Sequence, residues 1–211
     1  LWGAKVGGKL LKLLGRNASF FPGKFAIAIC PEFMGILEKP KTVIAVTGTN
    51  GKTTVCNIVE DILKENKYDF IDNRYGSNVA AGVATTLLNG VGLTGKSKKD
   101  LAIIEVDEKS SVKIFPYVIP NYLVCTNLSR DSILRHAHAE YIADILTNNI
   151  PKESELILNG DDLIVSNLAP DDHKRSYFGI GRLPTDKDKP ENLTRDIRVC
   201  PKCDTILEYE Y

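Results

Sequence analysis

No stretch of this sequence stays apolar for the roughly 20 residues that crossing a bilayer requires, so no transmembrane segment is expected. Nor is there a surplus of one charge. The 27 Lys and Arg stand against 27 Asp and Glu, and the resulting zero net charge removes the basic excess on which nucleic-acid binding rests. Cysteine is sparse and odd in number: Cys30, Cys56, Cys125, Cys200 and Cys203. Three of these lie in apolar segments, which argues against a disulfide framework and for a reducing, cytoplasmic setting. Aromatic residues make up only 8% of the chain, too few to locate a pocket for a stacked ring. No signal-peptide pattern precedes the first motif, and the chain begins with Leu1 rather than Met, so it is expected to be a piece of a longer protein or a processed chain.

What is present suits one large domain, or one with a small appendage. At 211 residues and 43% hydrophobic content, the chain can bury a sizeable core. Residues 5–15, "KVGGKLLKLLG", mix Leu and Lys at loosely helical spacing, weakened by Gly7 and Gly8. They read as a short packing helix; the alternative is a basic amphipathic segment resting on anionic lipid. From residue 42 onward strand-like and helix-like segments alternate. "TVIAV" (42–46), "DFI" (69–71), "LAIIEV" (101–106), "YLVCT" (122–126), "ELIL" (155–158) and "RSYFGI" (175–180) have the character of buried parallel strands. Val55, Ile58, Val59, Ile62 and Leu63 recur at helical spacing, and helices are also expected over 78–90 and 138–150, the latter stopped by Pro151. This order predicts an α/β fold, a parallel sheet flanked by helices on both faces. Three parts are expected: a short N-terminal region (1–40), a central nucleotide-binding domain (41–182), and a charged, Pro-containing linker with a partial zinc-binding insertion (183–211).

The chemistry concentrates in "TVIAVTGTNGKTT". A strand, a Gly-containing turn and a helix start make an anion site, where the backbone N–H groups of Gly48 to Lys52 can converge on phosphate oxygens. Lys52 supplies a point charge, and the Thr53 hydroxyl is placed to ligate Mg²⁺. The spacing departs from the common G-x-x-x-x-G-K-[ST] loop, because Val46 stands where the first glycine belongs and Gly48 replaces it. The competing reading is a chance Gly-Lys-Thr turn. In "LAIIEVDEKSS", Glu105 ends a buried strand at the ligand crevice and can reach a metal held by Thr53. Glu108 is a second carboxylate candidate for Mg²⁺, and Asp107 would orient the loop; an acidic loop facing water is the bland alternative.

The octapeptide from Thr47 to Thr54, with its Gly48, Thr49, Asn50, Gly51, Lys52, Thr53 and Thr54, resembles the loop of the Mur ligase family, whose members use ATP to join an amine to a carboxylate. The resemblance implies that these residues bind ATP, that Lys52 and Glu105 are catalytic, and that Glu105 is the family's metal-binding glutamate. "YGSNVAAGVATT" (75–86) resembles the family's Gly-x-Asn loop, in which Asn78 would face substrate or phosphates. Ser77 or Asn78 could equally be a helix N-cap. "TNLSRDSILRHAHAE" (126–140) resembles a metal-binding segment, but Ser132 stands where the family's first histidine is expected. His136 and His138 are left between metal binding and a solvated or substrate-facing role. "LNGDDLIVSNL" (158–168) resembles the family's Asn-x-Asp-Asp segment.

Cys200-Pro-Lys-Cys203 is a single C-x-x-C knuckle, half of what a four-cysteine structural zinc site needs, with two further Zn²⁺ ligands expected beyond Tyr211. Within the family, the shortened N-terminal region and this knuckle resemble the branch that forms the ligase subunit of lipid II isoglutaminyl synthase. That resemblance implies ATP-dependent amidation of the D-glutamate α-carboxyl in the lipid II stem peptide, through an acyl phosphate, during cell-wall synthesis. It further implies ammonia delivered by a GatD-type glutamine amidotransferase partner, and lipid II met at the inner membrane face of a bacterial cell. Cys30, Cys56 and Cys125 read as core rather than as a glutaminase nucleophile. The alternatives are an amino-acid-adding ligase, a folylpolyglutamate synthase relative, or an ATP-binding piece inactive by itself.

Overall fold

A computed structural model describes residues 1–13, 19–129 and 139–181, together with 184–185, 199–200, 203 and 205–207. The helices are α1 (Trp2–Leu13), α2 (Phe21–Ile29), α3 (Phe33–Ile36), α4 (Lys52–Glu65), α5 (Ala80–Gly90), α6 (Ser111–Ile114), α7 (Ala139–Asn149) and α8 (Leu163–Ser166). The strands are β1 (Thr42–Thr47), β2 (Phe70–Asp72), β3 (Leu101–Glu105), β4 (Tyr122–Cys125), β5 (Glu155–Asn159) and β6 (Arg175–Phe178). All six strands pair in parallel in the order β2-β3-β1-β4-β5-β6. The parallel α/β sheet expected from the sequence is therefore the observed fold.

Alternation along each strand sorts side chains between two unequal layers. Val43 and Ala45 of β1, Ala102 and Ile104 of β3, Leu123 and Cys125 of β4, and Leu156 and Leu158 of β5 enter the larger core, with residues from every helix except α4. Val46, Ile103 and Val124 point the other way, onto Cys56, Val55, Val59 and Leu63 of α4. Helices cover both faces, but among the described residues α4 is alone on its side. The N-terminal segment is no appendage. The Gly23 N–H donates to Thr85 Oγ1 at 2.9 Å, and a Cβ at Gly23 would come within 2.0 Å of the Ala81 carbonyl, so α2 lies hard against α5.

The chain leaves β1 toward β3 and leaves β4 toward β5, so the sheet's direction of winding reverses between these two strands. In open parallel sheets the ligand crevice forms at the carboxyl ends of the strands at such a reversal. Past β6, Val199 and Ile206 form an antiparallel bridge and the Cys200 N–H donates to Thr205 O at 2.8 Å. No helix among the described residues is long and apolar enough to cross a membrane.

Candidate active site

The loop after β1 turns because two glycines adopt conformations that side chains disfavour: Gly48 at φ +124° and Gly51 at φ +80°. Gly51 caps α4 with no side-chain hydrogen bond. The loop is braced from β4. Asn127 O accepts from the Thr49 N–H at 2.7 Å, Asn127 Oδ1 accepts from the Asn50 N–H at 3.0 Å, and Thr126 Oγ1 donates to Asn50 O at 2.7 Å. This alters the expectation that amides from Gly48 to Lys52 converge on an anion. Those of Thr49 and Asn50 are occupied by Asn127, while the first-turn amides of Lys52, Thr53 and Thr54 have no backbone acceptor among the described residues. These helix-start amides carry the positive end of the α4 dipole.

Lys52 folds back across this loop. Its ammonium donates to the carbonyls of Gly48 and Thr49 and pairs with Glu108 Oε1 at 3.2 Å, and both side chains are largely buried. Burial pushes the Glu108 carboxyl above its ordinary value, with Lys52 opposing. Glu108 is thus the counter-ion of Lys52. Asp107 caps the short turn Glu108–Ser110, its Oδ1 accepting from the Ser110 N–H at 3.0 Å, as its expected orienting role requires.

Thr53 and Glu105 meet. The Thr53 hydroxyl donates to Glu105 Oε2 at 2.8 Å, and Asn78 Nδ2 donates to Glu105 Oε1 at 2.9 Å. The Asn78 amide is therefore engaged with the carboxylate and does not cap α5, whose N-cap is Val79. Thr53, Asn78 and Glu105 border a cavity of about 380 Å³, lined also by Asn73, Arg74, Gly76 and Ser77. That volume falls within the range of small-molecule sites.

Two lining residues were not singled out from the sequence. Asn73, almost fully buried, accepts from the Glu105 N–H at 2.8 Å and donates to the Glu105 carbonyl at 2.9 Å. Its side-chain amide replaces the strand partner that β2 no longer provides beyond Asp72, and so holds the carboxylate's own backbone. Arg74 donates to Glu60 Oε2 and Asp61 Oδ1, both at 3.2 Å, tying the cavity rim to α4. The only sequence signal was their adjacency to the Gly-x-Asn loop.

Elsewhere, Asp162 of the Asn-x-Asp-Asp segment caps α8 and accepts from the Leu128 N–H at 2.8 Å, while Asn159 donates to Thr126 O at 2.9 Å. Both steady the β4 end that braces the loop. Ser132, His136 and His138 lie outside the described residues. Cys56 and Cys125 are buried and Cys30 is half-buried; burial pushes the Cys56 thiol up to about 12 and the Cys125 thiol up as well. Cys200 and Cys203 take no part in the cavity, and no cluster of three or more metal-ligating side chains occurs among the described residues.

The chain matches the family model described as "Mur ligase middle domain" over residues 46–197. It is 30% identical over 214 residues to the "Lipid II isoglutaminyl synthase (glutamine-hydrolyzing) subunit MurT" of Staphylococcus aureus (strain COL), covering 99% of this chain and 47% of that protein. It is 32% identical over 205 residues to the protein of the same description from Streptococcus pneumoniae, covering 96% of this chain and 44% of that one. The chain thus spans less than half the length of these relatives. The crystal structure of MurF ligase from Thermotoga maritima in complex with ADP shares the fold, with a TM-score of 0.55 at 19% identity, over 75% of this chain and 36% of that one. Matched by the family model over most of its length, the chain belongs to the Mur ligase family and carries its middle domain.

Proposed function

We propose that this chain is the ATP-binding part of a ligase of cell-wall synthesis. Its reaction would amidate the α-carboxyl of D-glutamate in the lipid II stem peptide to D-isoglutamine, in the bacterial cytoplasm at the inner membrane face. The observation that carries the reading is the junction of Thr53, Glu105 and Asn78 beside Lys52, in a chain that aligns over nearly its whole length with just under half of a MurT subunit. Gly48 to Thr54 would hold the ATP phosphates, with the α4 start facing their charge. The Thr53 hydroxyl and the Glu105 carboxylate are hard oxygen donors within 2.8 Å of each other, a fit for Mg²⁺. The metal would neutralise charge growing on the transferred phosphoryl group. Lys52 would leave Glu108 to add its charge there, and Asn78 would orient Glu105 or meet substrate. The substrate carboxylate attacks the γ-phosphate to give an acyl phosphate with release of ADP, and ammonia then displaces phosphate. A GatD-type glutamine amidotransferase is the proposed ammonia source.

Cys200 and Cys203 would supply two of four thiolates to a structural zinc ion, and hydrogen bonding to Thr205 holds the Cys203 thiol below its ordinary value. Because the chain spans less than half of its relatives, it is expected to bind nucleotide without turning it over when alone. The test is to extend the chain to the length of its relatives and supply ATP, Mg²⁺, glutamine, lipid II and the amidotransferase partner. A loss of about one dalton from the stem peptide, dependent on partner and glutamine and abolished by Lys52→Ala, is the expected result. A gain matching an added amino acid would establish an ordinary peptide ligase instead.

A further inference from the structure

The cavity and its loop leave the N-terminal helices unexplained. Close packing of Pro22, Gly23 and Ala26 against the body fixes which side of α2 turns outward. That side carries Phe21, Phe25 and Ile29, one helical turn apart and 57%, 56% and 69% exposed. On α1, where Ala4 is buried, Trp2 and Val6 are likewise one turn apart and each 64% exposed. Large apolar residues scattered singly are ordinary on a surface, but two rows on neighbouring helices mark an interaction site.

Charge identifies the occupant. Between Leu1 and Pro31 the sequence has five cations (Lys5, Lys9, Lys12, Arg16 and Lys24) and no Asp or Glu; the first acid is Glu32. Lys5 donates to the Val91 carbonyl at 2.6 Å, whereas Lys24 is exposed beside Phe25. In a chain with zero net charge, the remainder therefore carries the whole acidic excess. A segment that is basic and presents Trp, Phe and Ile to solvent has what an anionic lipid surface selects: rings and branched chains for the acyl boundary, cations for the headgroups. A protein partner would account for the apolar rows but not for the exclusion of every acid from this one segment.

We propose that α1 and α2 form a docking surface for anionic lipid. The inference deepens the proposed function, since a lipid-linked substrate would be met at that surface, and it rests on that reading only for its purpose. The test is independent of it. Trp2 is the sole tryptophan, so its fluorescence reports on this surface alone. The full chain is titrated with vesicles of phosphatidylcholine, with or without phosphatidylglycerol and free of any lipid-linked peptide. A blue shift and co-sedimentation with the anionic vesicles only, weakened by salt, are expected. Phe25→Glu with Ile29→Glu should weaken partitioning at least tenfold, and Lys24→Gln by roughly fivefold. These side chains are more than half exposed in the apolar pair, so folding should survive, as circular dichroism would show. Absence of any shift, equal binding to neutral vesicles, or binding indifferent to the variants would overturn the proposal. So would sedimentation velocity showing a dimer that the same variants dissociate, since the surface would then belong to a second copy. A failure here leaves the amidation assay in detergent untouched, and the reverse holds.

Discussion

Replacing Gly48 with alanine tests whether the nucleotide loop depends on its brace from β4. A Cβ there would stand 2.2 Å from Thr126 Oγ1 and 2.9 Å from the Asn127 carbonyl, on a backbone at φ +124°. The positive φ alone costs about 1–2 kcal/mol for a residue with a side chain. The Thr126 hydroxyl can swing aside only by giving up its bond to Asn50 O at 2.7 Å, about 1 kcal/mol more. The Asn127 carbonyl cannot retreat without stretching the 2.7 Å bond from the Thr49 N–H. The total is about 3 kcal/mol, which for a chain of this size lowers the melting midpoint by roughly 6–12 °C. Calorimetric unfolding measures that loss, and titration with ADP measures the expected tenfold or greater fall in affinity. The hydroxyl's share is isolated by repeating Gly48→Ala in a Thr126→Ala background, where it should cost about 1 kcal/mol less. A Gly48→Ala protein within about 0.5 kcal/mol of the parent and binding ADP normally would refute the account.

Three further perturbations probe the rest of the site. Asn73→Ala leaves the Glu105 main chain unpaired and should weaken Mn²⁺ or Mg²⁺ binding in the presence of nucleotide by roughly 10–100-fold, read by spin resonance or calorimetry; unaltered metal affinity would remove Asn73 from the site. Glu108→Gln frees Lys52 from its counter-ion, so ADP should bind a few-fold tighter with metal affinity unchanged, whereas a tenfold loss of metal affinity would place Glu108 on the ion. The Glu60 carboxyl is raised by burial, with Asp72 adding and Lys64 and Arg74 opposing. Its stabilising share is therefore full below the unfolded-state value and lost as pH rises through the higher folded one. Glu60→Gln should flatten the fall of the urea midpoint as pH rises above the ordinary carboxylate range, and an unchanged slope would count against it.

The strands were readable because buried parallel strands are short β-branched or apolar runs, and "TVIAV", "LAIIEV" and "YLVCT" admit few other structures. The helix α4 was readable from its one-sided apolar stripe, and the loop from its glycines. By contrast α2, "FPGKFAIAI", has apolar residues on every side, so no period revealed it; it is helical because Pro22 suits a helix start and Gly23 fits only against α5. Within the site, Thr53 and Glu105 could be paired because strand-end position announces a carboxylate. Asn73 and Arg74 could not, since their partners lie 32 and 14 residues away and only the closed sheet brings them into contact. The role of Asn127 was hidden likewise, 77 residues from the loop whose amide it holds.

The uneven cover of the sheet also equips the molecule with a pair of internal clocks. Cys56 lies on the sheet-facing side of α4, among the described residues the lone helix on its face, and Cys125 lies in the thick core on the other. Neither thiol can react until its own layer parts, and the Cys56 thiol, pushed up to about 12, stays silent while packed. After the half-exposed Cys30 and Cys200 and the exposed Cys203 have been consumed, the slow labelling of Cys56 counts how often the phosphate-loop helix lifts, while Cys125 counts deeper unfolding. A nucleotide seated at the start of α4 should slow the first clock far more than the second.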